Sequence, residues 1–398
     1  MDVVREVTYR RTPRGAALYT CQWRAAPGSP PAPAPKAALL FLSGYNSYMS
    51  FNHDWLAGFL VAQGIAVYGV DHHGFGRSTQ AAEAHLPTTP LQALRSALCC
   101  FGRQAYIPSF AGLVEDAAHV LRCVAAREPG LPLFVLAESM GGTVALEAAA
   151  LLAAASAPLQ LHLLLLAPMC SLGKAVAVSP VLVALGRALA ALAPLAPTPM
   201  LKDTAAQHVK APERLAEVQA DPLRWQARVR LGTAFALKEA SAAAGRRARL
   251  YAPASLLLLH GSADTMCPLE GSLALLAASP ARDKTLLEYS GALHTLWAEP
   301  VATRRLLLAD VLRHVAERAP GVAGVPEGVA GEGGGVAPAL REAALREGSA
   351  APGGFLHLKR PEGAGVFSDN SAFTALQHRP GGGGDAGAAS ARGAASVH

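Results

Sequence analysis

Short apolar runs that alternate with stretches of helical length constrain the fold of this chain more than any other feature. Such continuous runs are typical of parallel strands that are buried on both faces, and the intervening helices cover those faces. The pattern therefore predicts a mostly parallel central sheet flanked by helices. The predicted strands cover residues 7–10, 18–23, 38–42, 65–70, 133–137, 161–166, 255–259 and 285–289.

Two stretches interrupt this alternation and divide the chain. Residues 171–249 contain no strand-like run although they lie between two predicted strands, so we interpret them as an inserted helical cap. Residues 319–398 are rich in Gly, Ala, Pro and Ser without sustained apolar periodicity, and we expect a disordered tail that catalysis does not need. The core is then expected in two parts, residues 1–170 and residues 250–318.

The composition argues against a nucleic-acid-binding protein. The net charge is +6 over 398 residues, and the Lys and Arg residues are scattered rather than gathered in a basic stripe. The six cysteines include no C-x-x-C pair, and no histidines have the spacing of a zinc site, the adjacent His72 and His73 included. We therefore expect no metal, no other cofactor and a reducing, cytoplasmic location; the oligomeric state stays open.

One apolar segment has nearly the length of a membrane span. Residues 175–196 are almost entirely apolar, but Pro180, Arg187 and Pro194 interrupt them. Prolines and a mid-span charge disfavour a spanning helix. We expect this helix to line an acyl-chain channel and to touch a membrane peripherally.

The sequence around Ser139 is typical of a nucleophile elbow. The stretch L-A-E-S-M-G-G, residues 136–142, follows a predicted strand and opens a helix, so a tight turn would expose the serine hydroxyl. The small flanking residues Ala137 and Gly141 suit such a turn, although glycine is usual at the first of these positions. The alternative is that Ser139 only caps the following helix.

An acid and a base follow Ser139 in the order that this type of site requires. Asp264 ends the stretch H-G-S-A-D after one predicted strand, and His294 lies in the loop after the next. His260 is a competing base, although it precedes the acid, and Glu138 is a competing acid. Asp264 could also be a simple helix cap.

Backbone N–H groups at two places would stabilise an oxyanion. One belongs to Met140, directly after the serine, and the other is assigned to Tyr45 in S-G-Y-N-S, residues 43–47. A plain glycine turn is the alternative for the second stretch. The glycine-rich residues 71–78 lack the rest of a nucleotide fingerprint, and we interpret them as a structural turn.

Together these motifs resemble the monoacylglycerol lipase family of α/β-hydrolases, especially its plant branch with caffeoylshikimate esterase-like proteins. The resemblance extends over residues 5–317 and rests on the segments at 68–78, 106–110, 137–142, 166–170, 260–264 and 283–294. It implies an α/β-hydrolase fold with a helical cap and a triad of Ser139, Asp264 and His294. Two departures are Ser43 where the family has histidine, and an insertion-like stretch at residues 79–104.

The predicted function is hydrolysis of a small-molecule carboxylic ester through an acyl-serine intermediate, with a monoacylglycerol or a lysophospholipid as substrate. Phenolic-ester hydrolysis and prolyl-type peptidase activity are alternatives on the same scaffold. A non-catalytic ligand-binding protein is a third alternative, because fold alone does not fix function.

Overall fold

Nine strands form one sheet in the part of the chain that the computed structural model describes, which comprises residues 2–30, 32–49, 53–78, 104–173, 180–198, 205–326 and 356–360. Their order across the sheet is β1-β2-β4-β3-β5-β6-β7-β8-β9. Only β2 breaks the parallel arrangement, because it pairs antiparallel with both β1 and β4. The strands are β1 (Val3–Arg11), β2 (Ala17–Ala25), β3 (Ala37–Leu42), β4 (Ile65–Val70), β5 (Leu133–Glu138), β6 (Leu161–Leu166), β7 (Ser255–Gly261), β8 (Lys284–Tyr289) and β9 (Leu356–Arg360).

Helices cover both faces of this sheet. Along β3, Leu40 and Leu42 belong to an apolar cluster on one face of the sheet, whereas Leu39 and Phe41 belong to a second cluster on the other face. Each fully buried leucine of this kind stabilises the fold by roughly 1.5–3 kcal/mol. The helices are α1 (Asp54–Ala62), α2 (Phe110–Arg127), α3 (Met140–Ala153), α4 (Pro180–Leu192), α5 (Ala205–His208), α6 (Pro212–Ala220), α7 (Leu231–Arg247), α8 (Leu269–Ala278) and α9 (Val301–Ala316).

The predicted layout of a mostly parallel sheet between two helical layers is therefore confirmed. Every apolar run that predicted a strand lies within an observed strand, and the boundaries differ by a few residues. The observed strand exceeds the predicted one most in β1. Polar residues alternate with apolar ones along this edge strand, so it contains no continuous apolar run that would predict its full length.

Between β6 and β7 the described residues form helices joined by loops, with one isolated bridge between Pro197 and Arg230 and no strand. Helix α4 lies against α7 where Gly186 meets the ring of Phe235. Five large apolar side chains of α4 are nevertheless exposed: Val181, Leu182, Leu185, Leu189 and Leu192. Within the described ranges, no helix combines the length and the apolarity that crossing a bilayer requires. Of the insertion-like stretch 79–104, only Gln104 lies within the described residues.

Strand β9 differs from the expectation for the tail. It pairs in parallel with β8, from Thr285 opposite Leu356 to Tyr289 opposite Arg360. Five residues without an apolar run give no strand signal of their own, so this strand depends on the open edge of β8. The rest of the predicted tail beyond residue 326 lies outside the described residues.

Candidate active site

Ser139 occupies a strained turn between β5 and α3. Its backbone has φ 52° and ψ −117°, a conformation that non-glycine residues rarely adopt and that surrounding contacts must hold. Those contacts include the Ser139 N–H donating to the Leu166 carbonyl at 2.9 Å. The Ser139 carbonyl accepts from the N–H groups of Gly142 and Met169, both at 3.0 Å. The turn thus directs the hydroxyl away from the sheet at the N-terminus of a helix.

Two glycines let neighbouring backbones approach this turn. A Cβ atom on Gly141 would collide with the carbonyl oxygens of Leu42 and Ser43, and one on Gly44 would lie 3.2 Å from the Cβ of Ser139. Because the loop after β3 lies directly against Ser139, its backbone can reach an oxyanion formed there. At the first elbow position the buried Ala137 fits without requiring glycine.

His294 contacts both Ser139 and Asp264. Its Nε2 lies 2.9 Å from Ser139 Oγ, and its Nδ1 lies 2.6 Å from Asp264 Oδ2. The loop that carries His294 is tied at both sides. The Leu293 N–H donates to Glu299 Oε1 at 2.7 Å, and the Thr295 N–H donates to the carbonyl of His208 at 3.2 Å.

Asp264 is held in place by several donors. Its Oδ1 accepts from the N–H groups of Met266 and Cys267 at 2.8 and 3.0 Å. Burial raises the pKa of Asp264, but hydrogen bonds from His260 and His294 outweigh burial and hold that pKa well below its ordinary value. The carboxylate is therefore charged at neutral pH and can keep the proton of His294 on Nδ1.

His260, the competing base, does not contact the serine. Its Nε2 lies 2.8 Å from the carbonyl oxygen of Cys267 and 3.3 Å from Asp264 Oδ2, and its Nδ1 lies 2.8 Å from Ser272 Oγ. Since a carbonyl oxygen can only accept, the proton of His260 is on Nε2 and Nδ1 accepts from the hydroxyl. His260 is thus a buried partner of the carboxylate.

Glu138, the competing acid, lines a small cavity with Phe41, His53 and Trp297. Burial raises the pKa of Glu138, although His294 and Arg224 oppose this effect. The carboxylate that bonds to His294 is that of Asp264.

The two expected oxyanion donors belong to the two segments that meet at Ser139, the start of α3 and the loop after β3. Met140 is the first residue of α3, where the helix dipole favours negative charge. Tyr45 follows Gly44, and its ring packs edge-on against Phe75 at 5.6 Å between centroids.

The turn at residues 71–78 supports this region. Asp71 accepts hydrogen bonds from the N–H groups of Met49 at 2.7 Å and Arg77 at 2.9 Å. Its carboxylate therefore holds the backbone of the turn in place and does not act as a ligand-binding group. Burial lowers the pKa of the adjacent His72 to about 4. In the described part of the chain, no group of His, Cys, Asp and Glu has an arrangement that could hold a metal ion.

Contacts from the predicted cap were not anticipated from the sequence. His208 packs edge-on against the His294 ring at 6.3 Å, and the segment around Trp225 bonds to Asn46. No motif signals these contacts, because they join residues far apart along the chain.

Several known hydrolases are similar to this chain in sequence. A family model described as "Serine aminopeptidase, S33" matches residues 33–301. The chain is 30% identical over 282 residues to a monoacylglycerol lipase of Mycolicibacterium smegmatis, which covers 70% of this chain and 87% of the relative. It is 27% identical over 305 residues to a monoglyceride lipase of Rattus norvegicus, covering 76% of this chain and 88% of that protein.

Among solved structures, a soluble variant of a Saccharomyces cerevisiae monoglyceride lipase with a substrate analog superimposes with a TM-score of 0.64. The match covers 79% of this chain and 96% of that protein at 17% sequence identity. At this level of identity the similarity concerns the fold, and it confirms the α/β-hydrolase architecture.

Proposed function

This chain belongs to the monoacylglycerol lipase family of α/β-hydrolases, and on that premise we propose that it cleaves acylglycerol or lysophospholipid esters. In this reaction Ser139 is the nucleophile, His294 is the general base, and Asp264 orients the base. The chain is a serine ester hydrolase with a lipase-like function.

In the acylation half, Ser139 Oγ attacks the ester carbonyl carbon while His294 Nε2 accepts the hydroxyl proton. The carbonyl oxygen becomes an oxyanion, which the backbone N–H groups of Met140 and Tyr45 stabilise. The bond to the alcohol then breaks, and His294 donates its proton to the departing oxygen. Asp264 accepts the hydrogen bond from His294 Nδ1–H throughout and stabilises the transient imidazolium.

In the deacylation half, His294 takes a proton from water, and the resulting hydroxide attacks the acyl-serine carbonyl. The second oxyanion uses the same N–H donors. Its collapse releases the fatty acid, and the proton returns from His294 to Ser139 Oγ. No cofactor takes part in this sequence of steps.

One observation carries the assignment. His294 bridges Ser139 and Asp264 at 2.9 and 2.6 Å, and that serine has a positive φ at the N-terminus of α3. A serine that merely capped the helix would not need a histidine partner from 155 residues away. The contacts therefore favour catalysis over capping.

The serine assignment is tested with a fluorophosphonate probe, followed by mapping of the labelled peptide. We expect stoichiometric labelling at Ser139, none in Ser139→Ala, and hydrolysis of monoacylglycerols by the wild-type enzyme. Labelling at another residue would overturn the assignment.

The name of the matching family model makes an aminopeptidase the second candidate. A panel of monoacylglycerols, lysophospholipids, phenolic esters and aminoacyl-prolyl amides separates the candidates. Fatty-acyl esters should have the highest kcat/KM; a preference for an amide or for a caffeoyl ester would replace the proposed substrate class.

We also propose that residues 171–249 form a cap and that α4 contacts membranes peripherally, in a protein of the cytoplasm. Val181 and Leu192 on α4 are 77% and 86% exposed, and Leu185 lies between them on the same helix. Exposed apolar patches of this kind cost free energy in water unless a lipid or a partner covers them. A lipid substrate that resides in a membrane provides the cover.

The membrane proposal is tested by replacing Val181, Leu185 and Leu192 together with serine. We expect weaker co-sedimentation with phosphatidylcholine vesicles and a higher KM for a long-chain monoacylglycerol. Activity on a short soluble ester should be retained, because the triad lies elsewhere.

The matched control introduces three serines into the same helix at Ala184, Ala188 and Ala191, which are also exposed. This variant removes little apolar surface, so it should bind vesicles like the wild type. Equal loss of vesicle binding in both variants would mean that helix stability, and not apolar surface, is responsible.

A further inference from the structure

The loop that carries the candidate oxyanion donor Tyr45 depends on a distant segment for its shape. We define residues 43–47 as the oxyanion loop and residues 221–225 as the latch segment. Asn46, directly after Tyr45, has φ 58°, in the left-handed region that asparagine tolerates better than most residues. Asn46 is buried, so neighbouring groups must satisfy its polar atoms.

The latch segment satisfies those atoms. Asn46 Nδ2 donates to the Trp225 carbonyl at 2.8 Å, and the Trp225 N–H donates back to Asn46 Oδ1 at 2.9 Å. Arg224 Nη1 donates to the Asn46 carbonyl at 3.1 Å. This reciprocal pairing fixes both the side chain and the backbone of Asn46 to residues almost 180 positions away.

A second contact lies immediately after the loop. The Tyr48 hydroxyl donates to the carboxylate of Asp221, and both residues are buried. Asp221 in turn accepts from the Leu223 N–H at 3.0 Å, which shapes the latch segment itself. Within the oxyanion loop itself, Ser43 Oγ donates to the Ser47 carbonyl at 3.0 Å. The latch segment therefore makes hydrogen bonds with both Asn46 and Tyr48.

The latch segment is itself anchored in the predicted cap. The guanidinium of Arg230 lies 4.1 Å from the centre of the Trp225 ring, a favourable cation–π contact. Arg230 is buried, and it donates to the carbonyls of Gln104 at 2.8 Å and Leu195 at 3.0 Å. Movement of this part of the cap would therefore be transmitted to Asn46.

We propose that Asn46 is a positioning residue through which the cap sets the oxyanion donor: its pairing with the Trp225 backbone holds the Tyr45 N–H in line with Ser139. The inference rests on the proposed function, since it assigns a purpose to the loop only if Ser139 is the nucleophile. An oxyanion forms in the transition state and is absent from the bound substrate, so the pairing contributes to kcat and little to KM.

The test uses Asn46→Gly in the full chain. Glycine permits φ 58° without strain but removes both side-chain hydrogen bonds. On a short soluble ester we expect kcat to fall about 10-fold or more, with KM changed less than about 3-fold, because loss of a complete oxyanion donor costs about 10²–10³-fold. Affinity for a trifluoromethyl ketone, whose adduct with serine carries the oxyanion, should fall in proportion to kcat.

The matched control is Gln226→Ala. Gln226 is the next residue after the latch segment, but its amide donates to the carbonyls of Val218 and Gln219 within the predicted cap. This variant should keep the wild-type kcat and ketone affinity. A parallel loss in Gln226→Ala would mean that any disturbance of the cap lowers activity, and it would overturn the role of Asn46.

A second variant covers the case in which Asn46→Gly has a lowered melting temperature. Tyr48→Phe removes only a hydroxyl, and it should lower kcat and ketone affinity together at unchanged KM. Wild-type kcat and ketone affinity in Asn46→Gly, or in Tyr48→Phe when Asn46→Gly is unstable, would overturn the inference.

These outcomes are distinct from failure of the proposed function. If Ser139 is not the nucleophile, the wild-type enzyme is not labelled by fluorophosphonate at Ser139, and if only the substrate class is wrong, Ser139 is labelled but the substrate panel shows another preference. If only the inference is wrong, the wild type is labelled and Asn46→Gly turns over like the wild type.

Discussion

At the scale of single residues, Asp264 lies between two histidines that differ in their other partners. His294 has a ring nitrogen 2.9 Å from Ser139 Oγ, so it can exchange a proton with the nucleophile. His260 has both ring nitrogens occupied by Ser272 Oγ and the Cys267 carbonyl. The first histidine is therefore suited to chemistry and the second to holding the carboxylate.

This difference predicts opposite effects for two alanine substitutions. His294→Ala should lower kcat on a nitrophenyl ester by about 10⁴-fold or more with a nearly unchanged melting temperature. His260→Ala should chiefly lower the free energy of unfolding, because each buried polar group that loses its hydrogen-bond partner destabilises the fold by about 1–3 kcal/mol. An inactive, fully stable His260→Ala together with an active His294→Ala would reverse the two roles.

His72 provides a pH-dependent element at the base of the oxyanion loop. Burial lowers its pKa to about 4, while a backbone hydrogen bond to Ser43 and the nearby Asp116 oppose this shift. In the unfolded chain a histidine binds a proton near pH 6.5, so between that pH and about 4 the unfolded state holds more protons than the folded one. Folding is therefore destabilised as the pH falls through this window.

We expect His72→Gln to lose less stability than the wild type between pH 6.5 and 4. The substitution should reduce the dependence of the free energy of unfolding on pH by at most about 1.4 kcal/mol per pH unit, which is the value for one proton. Urea unfolding at pH 6.5, 5.5 and 4.5 measures it, with the partly exposed His119→Gln as control. Identical slopes in the wild type and His72→Gln would show that this histidine does not titrate as described.

At the scale of elements, β9 supports the strand that leads to the His294 loop. Arg360 makes a two-point ion pair with Asp310 at 2.5 and 3.0 Å, and Tyr289 donates to the same carboxylate at 2.9 Å. The Ser290 N–H, just past β8, donates to the Arg360 carbonyl at 2.9 Å. Arg360 and Asp310 are both buried, and Arg313 Nη1 also donates to Asp310 Oδ1 at 2.8 Å, so removing β9 weakens this charged cluster without leaving Asp310 unpaired.

We expect a chain ending after residue 325 to unfold at a lower temperature than the full chain, by up to about 6 °C. The estimate takes about 3 kcal/mol, the low end of the cost of breaking a buried pair because Arg313 remains on Asp310, and about 2 °C per kcal/mol, the low end because the domain exceeds about 250 residues. A chain ending at residue 361 keeps β9 and serves as the control, with the melting temperature of the full chain. Equal melting temperatures in both truncations would mean that β9 contributes nothing to stability.

At the scale of the whole molecule, the sequence predicts what depends on local patterns. The strands β3 to β8 follow from short, mainly apolar runs, and the turn at Ser139 follows from small residues between a strand and a helix. The order of serine, acid and histidine indicated Asp264 and His294, which the structure brings together with Ser139. These features are predictable because each lies within a short segment.

Contacts between distant segments could not be predicted in the same way. Asn46 and Trp225 have no motif in common, and the five residues of β9 form a strand only because the edge of β8 is available. The partner of His260 likewise depends on the fold of the loop between β7 and α8. Such features follow from which backbone groups the fold leaves to be satisfied, and a linear pattern does not contain that information.

The turnover of Ser139→Ala on monoacylglycerol and on a short nitrophenyl ester measures most directly whether Ser139 forms the acyl-enzyme. We expect kcat to fall by about 10⁴- to 10⁶-fold on both esters, with the melting temperature preserved because only one hydroxyl is lost. Retention of even about a tenth of the wild-type turnover would contradict this expectation, since loss of a nucleophile cannot have so small an effect.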